Sequence, residues 1–160
     1  MSQIDELVAA NAAHAAVRGP SGDAPPRRRL TVLTCMDARI DPLALFGLRE
    51  GDAQILRNAG ARVTDDVLRG LALSAHVMGV DTVVIVHHTR CGLLDTTEED
   101  LRATTGADAE FLVIHDHGDA LRDDIDALAA TEFLAPLREI AGFVYDVDTG
   151  AVTELVRWSR

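Results

Sequence analysis

Three stretches of the chain read as strands: LTVLTC at residues 30–35, a continuous apolar run ending in polar residues, AQILRN at 53–58, which runs into the Ala59-Gly60 turn, and DTVVIVHH at 81–88. A run with no polar face suits a strand buried on both sides, the situation of strands in a parallel sheet. Between the second and third runs, Val67, Leu68, Leu71, Ala72, Ala75 and Met78 follow helical spacing over 64–78. Thr64 is placed to cap that helix, Asp65 and Asp66 suit the positive end of its dipole, and Gly79 stops it. A second helix is expected at 119–130, with Leu121, Ile125 and Leu128 on one face. Pro136 interrupts the segment after it, and GFVYDVDTGAVTEL at 142–155 then predicts a strand, an Asp-Thr-Gly turn and a returning strand. Residues 4–17 predict an Ala-rich helix, and GPSGDAPP at 19–26 a turn-rich linker. Residues 95–118 show no readable pattern, and there is no internal repeat.

Strands alternating with helices predict an α/β fold. The expected architecture is a mostly parallel central sheet flanked by helices, with a C-terminal β-hairpin edge and an N-terminal helical arm. One domain over 1–160 is expected, with 1–29 as arm and linker. A chain of 160 residues with 48% apolar and 26% charged positions is long enough for one real core. Its net charge of −11 argues against nucleic acid or an anionic membrane as a partner. The one basic run, Arg27-Arg28-Arg29, reads as a solvated linker or an interface contact. The first residues carry acids and lack a basic start followed by an apolar block, so no signal peptide is expected and the cytoplasm is the expected location. In that reducing compartment, two cysteines point to metal binding or catalysis rather than to a disulfide.

Both cysteines fall where α/β sheets bind ligands, at the carboxyl ends of strands. Cys35 ends the first run; His88 and Cys91 end the third. Thiolate and imidazole are the preferred ligands of zinc, and three protein ligands leave a tetrahedral position open, as catalytic zinc requires. His87 should face the other side of its strand. If the chain stayed extended past Cys35, period-2 spacing would put Asp37 and Arg39 on the same side as the cysteine. The carboxylate could then accept a hydrogen bond from water on the metal, and Arg39 could hold it as a bidentate pair. His115-Asp116-His117 could suggest a second metal site but reads better as an exposed loop. Arg90, inside the His88–Cys91 turn, is a strong charge with no role evident from the sequence.

The set CMDARID, RNAG at 57–60, TDDVLRGLALS at 64–74 and HHTRCG resembles the β-class carbonic anhydrases, and among them the short bacterial members. The likeness runs from about Leu30 to Leu94 and resumes at GFVYDVDTG. The resemblance implies reversible hydration of carbon dioxide to bicarbonate, with one zinc ion per chain held by Cys35, His88 and Cys91. It implies Asp37 and Arg39 as the catalytic dyad, with Asp37 becoming a fourth metal ligand in a closed, inactive state. It further implies a substrate pocket lined by Ala59, Gly60 and Gly92, and a homodimer or homotetramer in which the N-terminal helix lies on the partner. The large aromatic and amide side chains that line the pocket of plant-type members are not evident here. Two other functions fit the same residues: hydrolysis of a related heteroallene, carbon disulfide or carbonyl sulfide, and a non-catalytic zinc or bicarbonate-binding module. A phosphatase-type cysteine loop would place arginine where Asp41 stands.

Overall fold

The computed structural model describes residues 1–160. The three apolar runs form β1 (Leu30–Cys35), β2 (Ala53–Asn58) and β3 (Thr82–His88), and β4 (Glu139–Tyr145) and β5 (Val152–Ser159) complete one five-stranded sheet in the order β2-β1-β3-β4-β5. The first four strands are parallel, and β5 returns antiparallel from the Asp-Thr-Gly turn. Five of the six β1 residues are buried, which is why that segment shows no alternation. The helices are α1 (Gln3–Val17), α2 (Pro42–Leu45), α3 (Asp65–His76), α4 (Glu98–Thr105) and α5 (His117–Ala130).

The expected caps are present. Thr64 accepts from the Val67 backbone at the start of α3, and Gly79 sits at φ 70° beyond its end. Met78 lies past the last turn, so the helix is slightly shorter than its apolar spacing suggested. Two helices were not legible. The α2 turn is only four residues long and depends on the Asp41 side chain accepting from Leu43 and Ala44. The α4 helix buries no residue, so it shows no apolar stripe; Thr97 caps its start and Gly106 at φ 69° ends it. Arg27 pairs with Asp52 and Arg29 with Asp81, so two members of the basic run tether the linker to the domain.

The sheet has two unequal faces. Leu33, Ile85 and Ile140 pack with Leu71 of α3 and with Leu121, Ile125 and Leu128 of α5 in the main core. The other face has a smaller cluster of Val32, Leu48 and Val86, around which Leu43, Phe46, Ile55 and Val84 are only partly buried. The chain leaves β1 toward β2 on one side, and β3 lies on the other. The crevice between the ends of β1 and β3 is therefore the switch point at which open α/β sheets bind ligands.

Candidate metal centre

Adjacent strands bring Cys35 and His88 to that crevice, and the turn after β3 adds Cys91. Their sulfur and nitrogen atoms all lie within 4.8 Å of one another, and all three residues are buried. The His88 Nδ1 lies 2.9 Å from the Thr89 carbonyl. A carbonyl only accepts, so Nδ1 carries the proton and Nε2 keeps its lone pair. That Nε2 is buried and has no partner in the protein. A buried acceptor without a donor is costly unless something fills the gap. Two soft sulfurs and one imidazole nitrogen, with the hydrogen bond at Nδ1 fixing the ring, fit zinc. Of the two thiols, Cys35 is the more acidic. The Cys91 thiol and the Asp37 and Gly60 backbone N–H groups favour its thiolate against the cost of burial. The same interaction with Cys35, together with burial, pushes Cys91 up. A bound dication would deprotonate both.

The backbone does not stay extended past Cys35, contrary to the period-2 expectation. It turns at Asp37, whose carbonyl accepts from Ile40. Asp37 and Arg39 still meet, because the turn folds the guanidinium back onto the carboxylate: Nε to Oδ1 2.9 Å and Nη2 to Oδ2 2.6 Å, with the Arg39 backbone N–H also donating to Oδ1. Arg39 holds the Asp37 carboxyl far below the usual carboxylate range. Asp37 Oδ2 stands 3.8 Å from His88 Nε2, so the paired carboxylate overlooks the three ligands. Arg39 Nη2 also donates to the Arg90 carbonyl. This supplies the missing role of Arg90. Its backbone, at φ 55°, anchors Arg39, while its side chain pairs with Asp148 in the β4–β5 turn.

Sequence reasoning missed Arg57, which donates from Nε to the Cys35 carbonyl and from Nη2 to the Asp37 carbonyl, pinning the turn that carries both residues. An arginine at the end of an otherwise apolar strand was the only available signal. Ala59, Gly60 and Gly92 line a cavity of about 330 Å³ with Cys35, Asp37 and Cys91, and Met36 and Leu93 complete its apolar wall. A larger cavity of about 420 Å³, bordered by Glu98, Glu110, Asp116, Asp119 and Asp123, reaches none of the three ligands. His115, Asp116 and His117 do not converge. His115 is exposed, Asp116 caps α5, and His117 Nδ1 lies 3.2 Å from Nδ1 of the buried His87, on the other side of the sheet from His88.

Residues 30–132 match the family model described as carbonic anhydrase. The chain is 35% identical over 163 residues to "Beta-carbonic anhydrase 1" of Mycobacterium tuberculosis, covering 97% of this chain and 99% of the relative. It superposes on the crystal structure of the carbonic anhydrase from Streptococcus mutans with a TM-score of 0.87 at 37% identity, covering 98% and 99% of the two chains. A shorter match, 44% identical over 77 residues, covers 48% of this chain and 38% of a carbon disulfide hydrolase from Acidianus.

Proposed function

Because the chain belongs to the β-carbonic anhydrase family, we propose that its metal centre catalyses the reversible hydration of carbon dioxide to bicarbonate and a proton through the Asp37–Arg39 pair. The observation that carries this reading is the Asp37 carboxylate, clamped by Arg39 and 3.8 Å from the unpartnered His88 Nε2. Zinc held by Cys35, His88 and Cys91 would supply the Lewis acidity that makes water a nucleophile at neutral pH.

The rest of the work falls to the protein. Asp37 stays ionised, so its free lone pairs accept from the attacking water and orient it toward the cavity. Arg39, itself fixed at the Arg90 carbonyl, prevents the carboxylate from rotating onto the three ligands. Gly92 leaves open space where a side chain would stand, and Met36, Ala59 and Leu93 offer apolar contact to a small uncharged molecule. That wall contacts the substrate while Asp37 handles the proton-bearing reactant, which is the division of labour the reaction needs.

The same cavity would admit carbon disulfide or carbonyl sulfide, and the partial match to a carbon disulfide hydrolase favours this as the second reading. Elemental analysis combined with stopped-flow assays on both substrates decides between them. One zinc per chain and fast carbon dioxide hydration are expected. Zinc retained after joint substitution of Cys35, His88 and Cys91 would overturn the ligand set, and turnover of carbon disulfide alone would favour the second reading.

The chain self-associates as a homodimer or homotetramer. A parallel sheet is normally covered on both faces, yet here Leu43, Phe46, Ile55 and Val84 remain partly open, and α1 buries none of its fifteen residues. Residues 1–29 act as an arm toward a second copy. No helix is long and apolar enough to cross a membrane. Two unpaired thiols suit a reducing compartment, the cytoplasm.

A further inference from the structure

The turn after β2 has an unusual backbone. Gly60 has φ 73°, and Ala61, which is not glycine, has φ 60°. A left-handed alanine persists only where its surroundings impose it. This turn matters to the metal centre because the Gly60 N–H donates to Cys35 Sγ at 3.4 Å. Donors to a ligand sulfur tune the charge it gives the metal.

What imposes the turn is a buried polar bolt beneath it. Arg62 Nε donates to Asp124 Oδ2 at 2.7 Å, and the Val63 N–H donates to Asp124 Oδ1 at 3.2 Å. Arg62 Nη1 donates to the Leu112 carbonyl at 2.8 Å. Asn58 closes the turn from the other side, accepting from the Arg62 N–H at 3.0 Å and donating to its carbonyl at 2.7 Å. Arg62 and Asp124 are only 8% and 5% exposed. A charged pair so deeply buried is a poor device for stability alone, because desolvation offsets most of the attraction. Its geometric effect is specific. It joins α5 and the segment before α5 to the three residues that present Gly60 to Cys35. Leu93 and Ile114 occupy the space where a Gly60 side chain would stand.

We propose that Arg62 and Asp124 are positioning residues for the metal centre, holding the Gly60 N–H on the Cys35 sulfur and so setting metal affinity and the character of that thiolate. The inference rests on the reading of Cys35 as a metal ligand. Neither residue touches substrate; both act through the 59–61 turn.

The test uses Asp124→Asn, which keeps the size of the side chain and removes its charge, with Asp124→Ala as the stronger lesion. Three readouts on the full chain are compared with the parent: metal affinity by competition with a chromophoric chelator, the sulfur-to-metal charge-transfer band of the cobalt(II)-substituted protein, and hydrogen exchange at the Gly60 amide. The expected result is roughly a 10–100-fold loss of metal affinity in Asp124→Ala, the range for lost partners of metal ligands, and a smaller loss in Asp124→Asn. Both variants should show a shifted charge-transfer band and faster Gly60 exchange. A variant that only melts earlier, with affinity, band and exchange unchanged, overturns the proposal and leaves the bolt a plain scaffold. If Asp124→Ala does not fold, Asp124→Asn decides by the same criteria. A parent chain that binds no metal would defeat the reading of the centre, and Gly60 exchange would still show whether the bolt holds the turn.

Discussion

A carboxylate beside three metal ligands is useful only while it is kept from becoming the fourth. In the proposed mechanism the bidentate grip of Arg39 does this, and the cost of losing it sets a first expectation. An exposed ion pair contributes about 0–1 kcal/mol, a factor of about five in rate at most. Arg39→Ala is expected to lower carbon dioxide hydration by more than tenfold, because Asp37 can then rotate onto the metal. Asp37→Ala should lose activity to a similar extent, yet its metal should keep an exchangeable water. X-ray absorption at the zinc edge distinguishes the two; an Arg39→Ala enzyme as fast as the parent would show the pair to be structural. The neighbouring His87 gives a second expectation. Burial, then the nearby His117, Arg62 and His88, depress its pKa to about 3. An unfolded histidine takes up a proton below about pH 6.5 and the folded one does not. The unfolded state therefore binds more protons, and stability falls as the pH drops from about 6.5 toward 3, by up to ~1.4 kcal/mol per unit. Chemical denaturation of parent and His87→Leu at pH 7 and pH 5 isolates this contribution, since acid loss of metal affects both alike. The parent should lose about 2 kcal/mol more than the variant; equal losses would rule the mechanism out.

At the scale of elements, the site is assembled by loops that strands aim and that other loops hold. The β1 and β3 ends supply Cys35 and His88, Arg57 on β2 pins the turn at Asp37, and the β4–β5 turn reaches Arg90 through Asp148. The 59–61 turn tolerates little change. A Cβ at Gly60 would lie 2.7 Å from Leu93 Cδ1, on a backbone already at φ 73°. Gly60→Ala should therefore cost about 1–3 kcal/mol, lower the melting temperature by about 5 °C and reduce turnover by narrowing the cavity. Calorimetry with a hydration assay checks both effects. A variant with parental stability and rate would mean that Leu93 yields freely and that the turn is not under constraint.

Across the whole molecule, the unevenly covered sheet is the feature that one chain does not resolve. Ile4, Leu7 and Val8 of α1 are exposed, and so are Leu73, Val77 and Phe133 on the body. Deleting residues 1–18 is expected to reduce the mass measured by light scattering and to lower stability, because apolar surface that a second copy covers would return to water. An unchanged mass and unchanged melting temperature would remove α1 from the interface.

Much of this was already present in the order of residues. Strands β1 and β2 begin and end where the sequence places them; in β1 burial on both faces leaves no polar position to blur the boundary, whereas β2 lies at the sheet edge with no residue fully buried and is bounded by the turn that follows it. The cluster of Cys35, His88 and Cys91 was legible as a group, because all three fall at strand ends on one edge of the sheet and Asp37 and Arg39 follow the first cysteine; His-x-x-Cys alone reads equally as a buried thiol and a core histidine. The pairing of Asp37 with Arg39 was legible too, although through a turn and not through the extended spacing first expected, since a short-range charge pair survives either backbone. Other features depended on the tertiary structure. The α4 helix has no buried face and so writes no periodicity. Arg62 and Asp124 lie 62 residues apart, and nothing local distinguishes them from surface charges until the packing of α5 removes both from water. Local sequence carries propensity and pattern; burial and long-range pairing exist only once the chain has closed on itself, and they hold the Gly60 amide on the Cys35 sulfur.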